Sequence, residues 1–133
     1  MPINVTPIFP ISPVIGVASL TSPSPITTRA NITGTTGLTV LTPVSTFGKR
    51  VDTIKVKCKG TSVATIVSIW IYNGTTSYLY DEFDVTVVTA STTVDSFSIS
   101  RTYTDLVLPP TYQLYVSVTV AQDLNVFANG GDY

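Results

Sequence analysis

The sequence predicts an all-β fold, an antiparallel β-sandwich of jelly-roll or Greek-key type carrying an extended, Pro-rich N-terminal arm. Three observations predict it. Thr and Val dominate with 23 and 18 residues while Glu and Met occur once each, a vocabulary that suits pleated, half-buried surfaces and lacks strong helix formers. Short apolar runs alternate inward and outward and are bounded by Gly, Pro, Asn or Ser clusters, with little helical periodicity. No repeat recurs at a fixed period, which sets a propeller or solenoid aside. At 133 residues the chain is one domain by length, able to bury roughly two-thirds of its unfolded surface.

The arm is residues 1–28, with prolines at positions 2, 7, 10, 13, 23 and 25. Threaded among them are apolar side chains, so that Pro2, Ile3, Val5, Ile8, Phe9, Ile11, Val14 and Ile15 are candidate contact residues. Proline fixes φ, lacks the N–H that a central strand must donate and pushes the preceding residue toward extended backbone. The stretch therefore reads as extended and partly polyproline-like. Its first basic residue is Arg29 and its longest apolar run is Val14–Leu20, so it resembles neither a secretory signal nor a membrane span of about 18 apolar residues. Its apolar surface makes it a contact device, with cover for an edge of its own sheet as the competing use.

The sandwich is expected over residues 29–133. "RANITG" (29–34) and "GLTVLT" (37–42) are short β-like runs, followed by a "PVSTFGK" connection. "RVDTIKVKCK" (50–59) alternates, with Ile54, Val56 and Cys58 on one face and Lys55, Lys57 and Lys59 on the other. "VATIVSIWIYNG" (63–74) is apolar at both parities, Val67, Ile69 and Ile71 against Ile66, Trp70 and Tyr72. Either that strand is central or its second face meets a partner. Asn73-Gly74 opens a turn, and "YLYDEFDVTVV" (78–88) returns with Leu79, Phe83, Val85 and Val87 in phase. "VDSFSISRTY" (94–103), "YQLYVSVTV" (112–120) and "LNVFA" (124–128) complete the set before "NGGDY".

Composition disfavours most reaction classes. Cys58 is the only cysteine and histidine is absent, which excludes an intrachain disulfide and removes the usual neutral-pH proton carrier and commonest metal ligand. No cofactor is expected. Six of the seven basic residues lie between Arg29 and Lys59 and seven of the eight acids from Asp81 onward, for a net charge of −1. That balance gives no case for nucleic acid, yet an asymmetric surface suits orientation against another copy or a larger partner. Asp81, Glu82 and Asp84 are the one carboxylate cluster; in a strand Glu82 and Asp84 share a face and Asp81 opposes them, a pattern that fits a solvated face better than a metal or a paired acid and base.

Lys55, Lys57 and Lys59 place three ammonium groups about 7 Å apart along one face. They either dock on an acidic partner or guard an edge strand against pairing. Cys58 shares its parity with Ile54 and Val56 and reads as a small buried hydrophobe. Trp70, Tyr72, Tyr78 and Tyr80 flank the Asn73-Gly74 turn, as core or interface aromatics or as a sugar-binding platform. Asn31 and Asn73 fit the glycosylation triplet, which a Thr-rich chain produces by chance.

Three stretches, "GKRVDTIKVKCKGTSVATIVSIWIYNG", "LVLPPTYQLYV" and "NVFANGGDY", resemble small virion structural proteins of tailed bacteriophages, a group of decoration or cement-like β-sandwiches ending in "GGDY". Gly48, Arg50, Val51, Asp52, Ile54, Gly60, Thr61, Ala64, Thr65, Asn73, Gly74, Leu106 to Pro109, Tyr112, Leu114, Val116 and Gly130 to Tyr133 carry it. Ser68 stands where that pattern has a basic residue, and Pro110-Thr111 replaces a small residue and a glycine. The resemblance implies a non-enzymatic virion component made in the host cytoplasm, a capsid decoration protein on the major capsid protein ahead of a tail accessory. A homo-oligomer is expected, a trimer first, with no membrane partner. The alternative is a carbohydrate-binding sandwich associated with a tail or fibre.

Overall fold

The computed structural model describes residues 12–133. They contain ten strands and no helix: β1 (Ser12–Leu20), β2 (Ile32–Thr33), β3 (Thr39–Val40), β4 (Lys49–Cys58), β5 (Thr65–Tyr72), β6 (Thr76–Val85), β7 (Ser98–Thr102), β8 (Val107–Leu108), β9 (Gln113–Val118) and β10 (Leu124–Asp132). Two antiparallel sheets result. The first runs β1-β10-β4-β7, with β8 also on β4, and the second runs β2-β6-β5-β9-β3. Partners nest by sequence, β5 with β6, β4 with β7, β3 with β9 and β1 with β10, and successive pairs alternate between the sheets. This nesting is the jelly-roll form of the sandwich.

Alternation fills the space between the sheets. Ile54, Val56 and Cys58 from β4, Val126 and Ala128 from β10 and Ala18 from β1 face Val67, Ile69, Phe83, Leu114 and Val116 across the core. Both long sides are tied. On one, Leu41 donates its N–H to the Leu114 carbonyl of β9 and lies so close to β1 that a Cβ at Gly16 would overlap the Leu41 carbonyl oxygen. On the other, Arg101 of β7 lies over the Phe83 ring, 4.5 Å from its centroid, and reaches Asp81 on β6.

β1 falls inside the stretch expected to be an arm. It is instead the edge strand of the first sheet, in unbroken register with β10 from Ser12↔Asp132 to Leu20↔Leu124. Ala18 and Leu20 are buried in the core. Physically, a proline bars a segment from a central strand but not from the start of an edge strand, where Pro13 sits. The sandwich thus already includes Ser12, ahead of the residue 29 expected from the sequence.

The second sheet is curled. Its edge strands β2 and β3 are joined by residues 34–38 alone, and Leu38 donates its N–H to the Thr35 carbonyl within that link. Edges of a flat five-stranded sheet would stand about 19 Å apart, too far for so short a turn. The curl and the covering chain therefore share one cause. Ile26 donates its N–H to the Val118 carbonyl on the β9 side, while the Gly34 carbonyl accepts from the Ser77 hydroxyl on the β6 side. Residues 26–38 consequently cross the face turned away from the first sheet, which buries Trp70 completely. The doubly apolar strand is central, and the chain itself covers its second face.

"NGGDY" is not a tail beyond the last strand, because β10 continues through it to Asp132. The register with β4 shifts between Asn129 and Gly130, and a Cβ at Gly130 would overlap the Arg50 carbonyl oxygen. Glycine is there for close backbone approach at a bulge.

Candidate functional site

The expected contact residues do not form one surface. Pro2, Ile3, Val5, Ile8, Phe9 and Ile11 lie outside the described residues. Val14 is half-buried on β1, while Ile15 and Val17 point to water at 67% and 52% exposure. Val17, Phe127 and Lys55 form one cross-strand row, so the apolar edge of β1 and the lysines share the outer face of the first sheet. Trp70 and Tyr72 lie on the other sheet. Trp70 donates its indole N–H to the Ser117 hydroxyl at 2.9 Å, fully buried, and Tyr72 packs edge-on against Tyr115 at 5.5 Å. Trp70 is therefore neither an interaction residue nor part of a sugar platform.

The lysine row does not guard an edge. β4 is internal, flanked by β10 on one side and by β7 and β8 on the other. Lys57 donates to the Ser96 carbonyl and Lys59 to the Thr21 hydroxyl, each at 3.0 Å, so both brace neighbouring chain. Lys55 is exposed above the sheet.

The acidic residues divide as their parity predicts. Glu82 accepts both of its contacts from Arg29 Nε, at 3.0 and 3.2 Å, and ties the covering segment down. Asp81 points the other way and accepts from Arg101 and from the Tyr103 hydroxyl, each at 2.5 Å. Burial works against the Asp81 charge, but the hydrogen bonds from Tyr103 and Arg101 prevail and hold its carboxyl below the usual range. Burial, and then the Asp81 carboxylate, push the Tyr103 hydroxyl up. These groups form a clasp between sheets. Burial likewise raises the Cys58 thiol, with Lys57 opposing, as suits a packed side chain rather than a nucleophile.

Among the described residues, hollows of two kinds open at the surface. The polar one, about 340 Å³, is lined by Ser22, Lys59, Thr61, Gln122 and Asp123, whose polar groups brace loops: Asp123 accepts from the Ser22 N–H at 2.7 Å and Gln122 from the Val63 N–H at 2.7 Å. The other, about 370 Å³, is an apolar cleft formed by Phe47, Gly48, Val107, Leu108, Pro109, Pro110 and Tyr133. Phe47 stands 75% exposed at its mouth.

The cleft gathers parts of all three stretches that carry the phage resemblance. Lys49 pairs with Leu108 on one side and with Asp132 on the other, and Tyr133 donates its N–H to the Gly48 carbonyl at 3.1 Å. Next along the two strands, the buried Lys49 Nζ meets Oδ1 of the partly exposed Asp132 at 2.5 Å. Tyr112 donates its N–H to the Pro109 carbonyl at 3.1 Å, closing a turn with Pro110 and Thr111 at its centre. Thr111 there has φ of +72°, the conformation that the second central residue of a type II turn needs and glycine supplies most cheaply. The glycine of the resembling pattern therefore has a backbone reason, which Thr111 meets under strain.

No family model, curated protein or solved structure matches the chain. The arrangement can present an apolar surface on a stiff sandwich.

Proposed function

We propose that this protein is a non-enzymatic virion structural protein, a capsid decoration protein that binds the outer surface of the shell built from the major capsid protein and stabilises it. The observation that carries this reading is the convergence of the phage-like motif residues around an exposed apolar cleft. A partly buried ion pair, a bulge and a tight turn hold these residues in place, which supports reading the cleft as a contact surface. The outer face of the first sheet adds Ile15, Val17 and Lys55, an apolar and basic mixture suited to docking on a protein surface of opposite charge. Assembly as a homo-oligomer, a trimer first, belongs to the same proposal.

Co-sedimentation with undecorated capsids tests it. The protein should bind to saturation at a fixed ratio to the major capsid protein and raise the temperature at which the shells open. Failure to sediment with the shells, or binding without saturation, would sink the proposal.

A further inference from the structure

The apolar cleft lies beside the point where the N-terminal segment joins the fold. Ser12 pairs with Asp132, and the next residue, Tyr133, forms the rim of the cleft together with Gly48. Eleven residues precede Ser12, "MPINVTPIFPI", without a charged side chain and with prolines at positions 2, 7 and 10 among aliphatic and aromatic residues. Phe47, Val107, Pro109, Pro110 and Tyr133 offer the rings and aliphatic surface on which extended proline-containing peptides pack. A peptide already restricted by proline also loses less entropy on docking.

We propose that the cleft seats residues 2–11 of a neighbouring copy, so that copies exchange N-terminal segments at this end of the sandwich. This rests on the reading above only in taking the protein to act as an assembly. Exchange, rather than closure on the same copy, follows from direction and stiffness. β1 is antiparallel to β10, so at Ser12 the strand direction points past Tyr133 toward the end of the sandwich. Pro10 and Pro13 flank Ile11 and Ser12, and the residue before each proline is biased against helical backbone, which disfavours a tight return next to Ser12. Segment origin and acceptor cleft also sit at the same end. Copies meeting there around a rotation axis satisfy every such contact at once, as in a domain swap.

Disulfide trapping in the full-length chain tests this without any capsid, so its outcome is independent of whether the protein decorates one. Phe9→Cys and Val107→Cys are combined in a Cys58→Ala background and oxidised. Cross-linked species at multiples of the chain mass, absent when either new cysteine is omitted, are expected. A cross-link confined to the single-chain mass would seat the segment in its own cleft and overturn the exchange, as would no cross-link at all. Light scattering supplies a second check. The unmodified protein should be oligomeric at micromolar concentration, and Phe47→Asp, at an exposed position that should not disturb folding, should weaken association by about tenfold or more. An oligomer indifferent to Phe47→Asp, or a strictly monomeric unmodified protein, contradicts the proposal.

Discussion

The outer faces of the two sheets are built from similar residues yet end differently. On the second sheet, residues 26–38 cross over and bury Trp70; on the first, Ile15 and Val17 remain in water beside Lys55. Apolar parity alone does not separate them. The separation comes from connection length, because β2 and β3 sit on opposite edges of one sheet and the short link between them must pass over its face. A face with no such crossing stays available to a partner. Trp70 thus contributes to stability, whereas Ile15 and Val17 are left exposed among the described residues.

Truncation should separate β1 from the segment before it most strongly. Removing residues 2–20 takes away an entire strand with Gly16, Ala18 and Leu20, and should abolish cooperative thermal unfolding, whereas removing residues 2–11 should keep it. Circular dichroism melts of the two variants decide it; equal melting temperatures would mean that β1 adds nothing to the sandwich.

Next in size are substitutions on the two faces. Trp70→Ala should cost about 3–5 kcal/mol, since it empties a fully buried site, while Val17→Lys should stay within about 0.5 kcal/mol. Denaturant titration of both measures the contrast, and a costly Val17→Lys with a mild Trp70→Ala would invert the assignment.

A smaller effect lies at the clasp between the sheets. The Asp81 carboxyl is depressed in the folded state, so its contribution is present above the unfolded carboxylate value of about 3.9 and is lost as pH falls through the lower folded value. Asp81→Asn should therefore destabilise by about 1–2 kcal/mol near neutrality, discounted for the partly exposed Arg101, and the difference should vanish at strongly acid pH. Urea titrations across pH 2–7 check the sign. A gap that persists or widens in acid would show that the carboxylate is not the source.

The smallest expected effect is a gain. Thr111→Gly relieves a positive φ at a β-branched residue, and after the extra unfolded-state entropy of glycine should stabilise by up to about 1 kcal/mol. A lower melting temperature would show that the Thr111 side chain contributes more than its backbone costs.

Much of the fold is legible in the order of residues alone. The clean alternation of Ile54, Val56 and Cys58 with Lys55, Lys57 and Lys59 places β4 and its faces, and the double apolarity of residues 63–72 marks a strand buried on both sides. What covers such a strand is not legible, because parity reports burial and not the covering group. A count of prolines over the whole opening stretch hides β1: Pro13 and Pro23 bracket a proline-free window in which an edge strand fits. The cleft is out of reach for a different reason. Gly48, Leu108 and Tyr133 are far apart in the chain, and only the pairing of β4 with both β8 and β10 brings them together.

The pairing of β1 with β10 also sets a timetable. The β1 strand cannot find its partner until all the strands between it and β10 have been made, so the first sheet closes late. The β5–β6 hairpin, whose strands are adjacent in sequence, can form long before. Nested pairing of this kind carries high contact order and slow folding. During the wait, a nascent chain exposes the uncharged β1 segment to every neighbour on the same polysome. Production of the protein should accordingly be limited by the crowding of nascent chains, and slower initiation or lower temperature should raise the soluble yield.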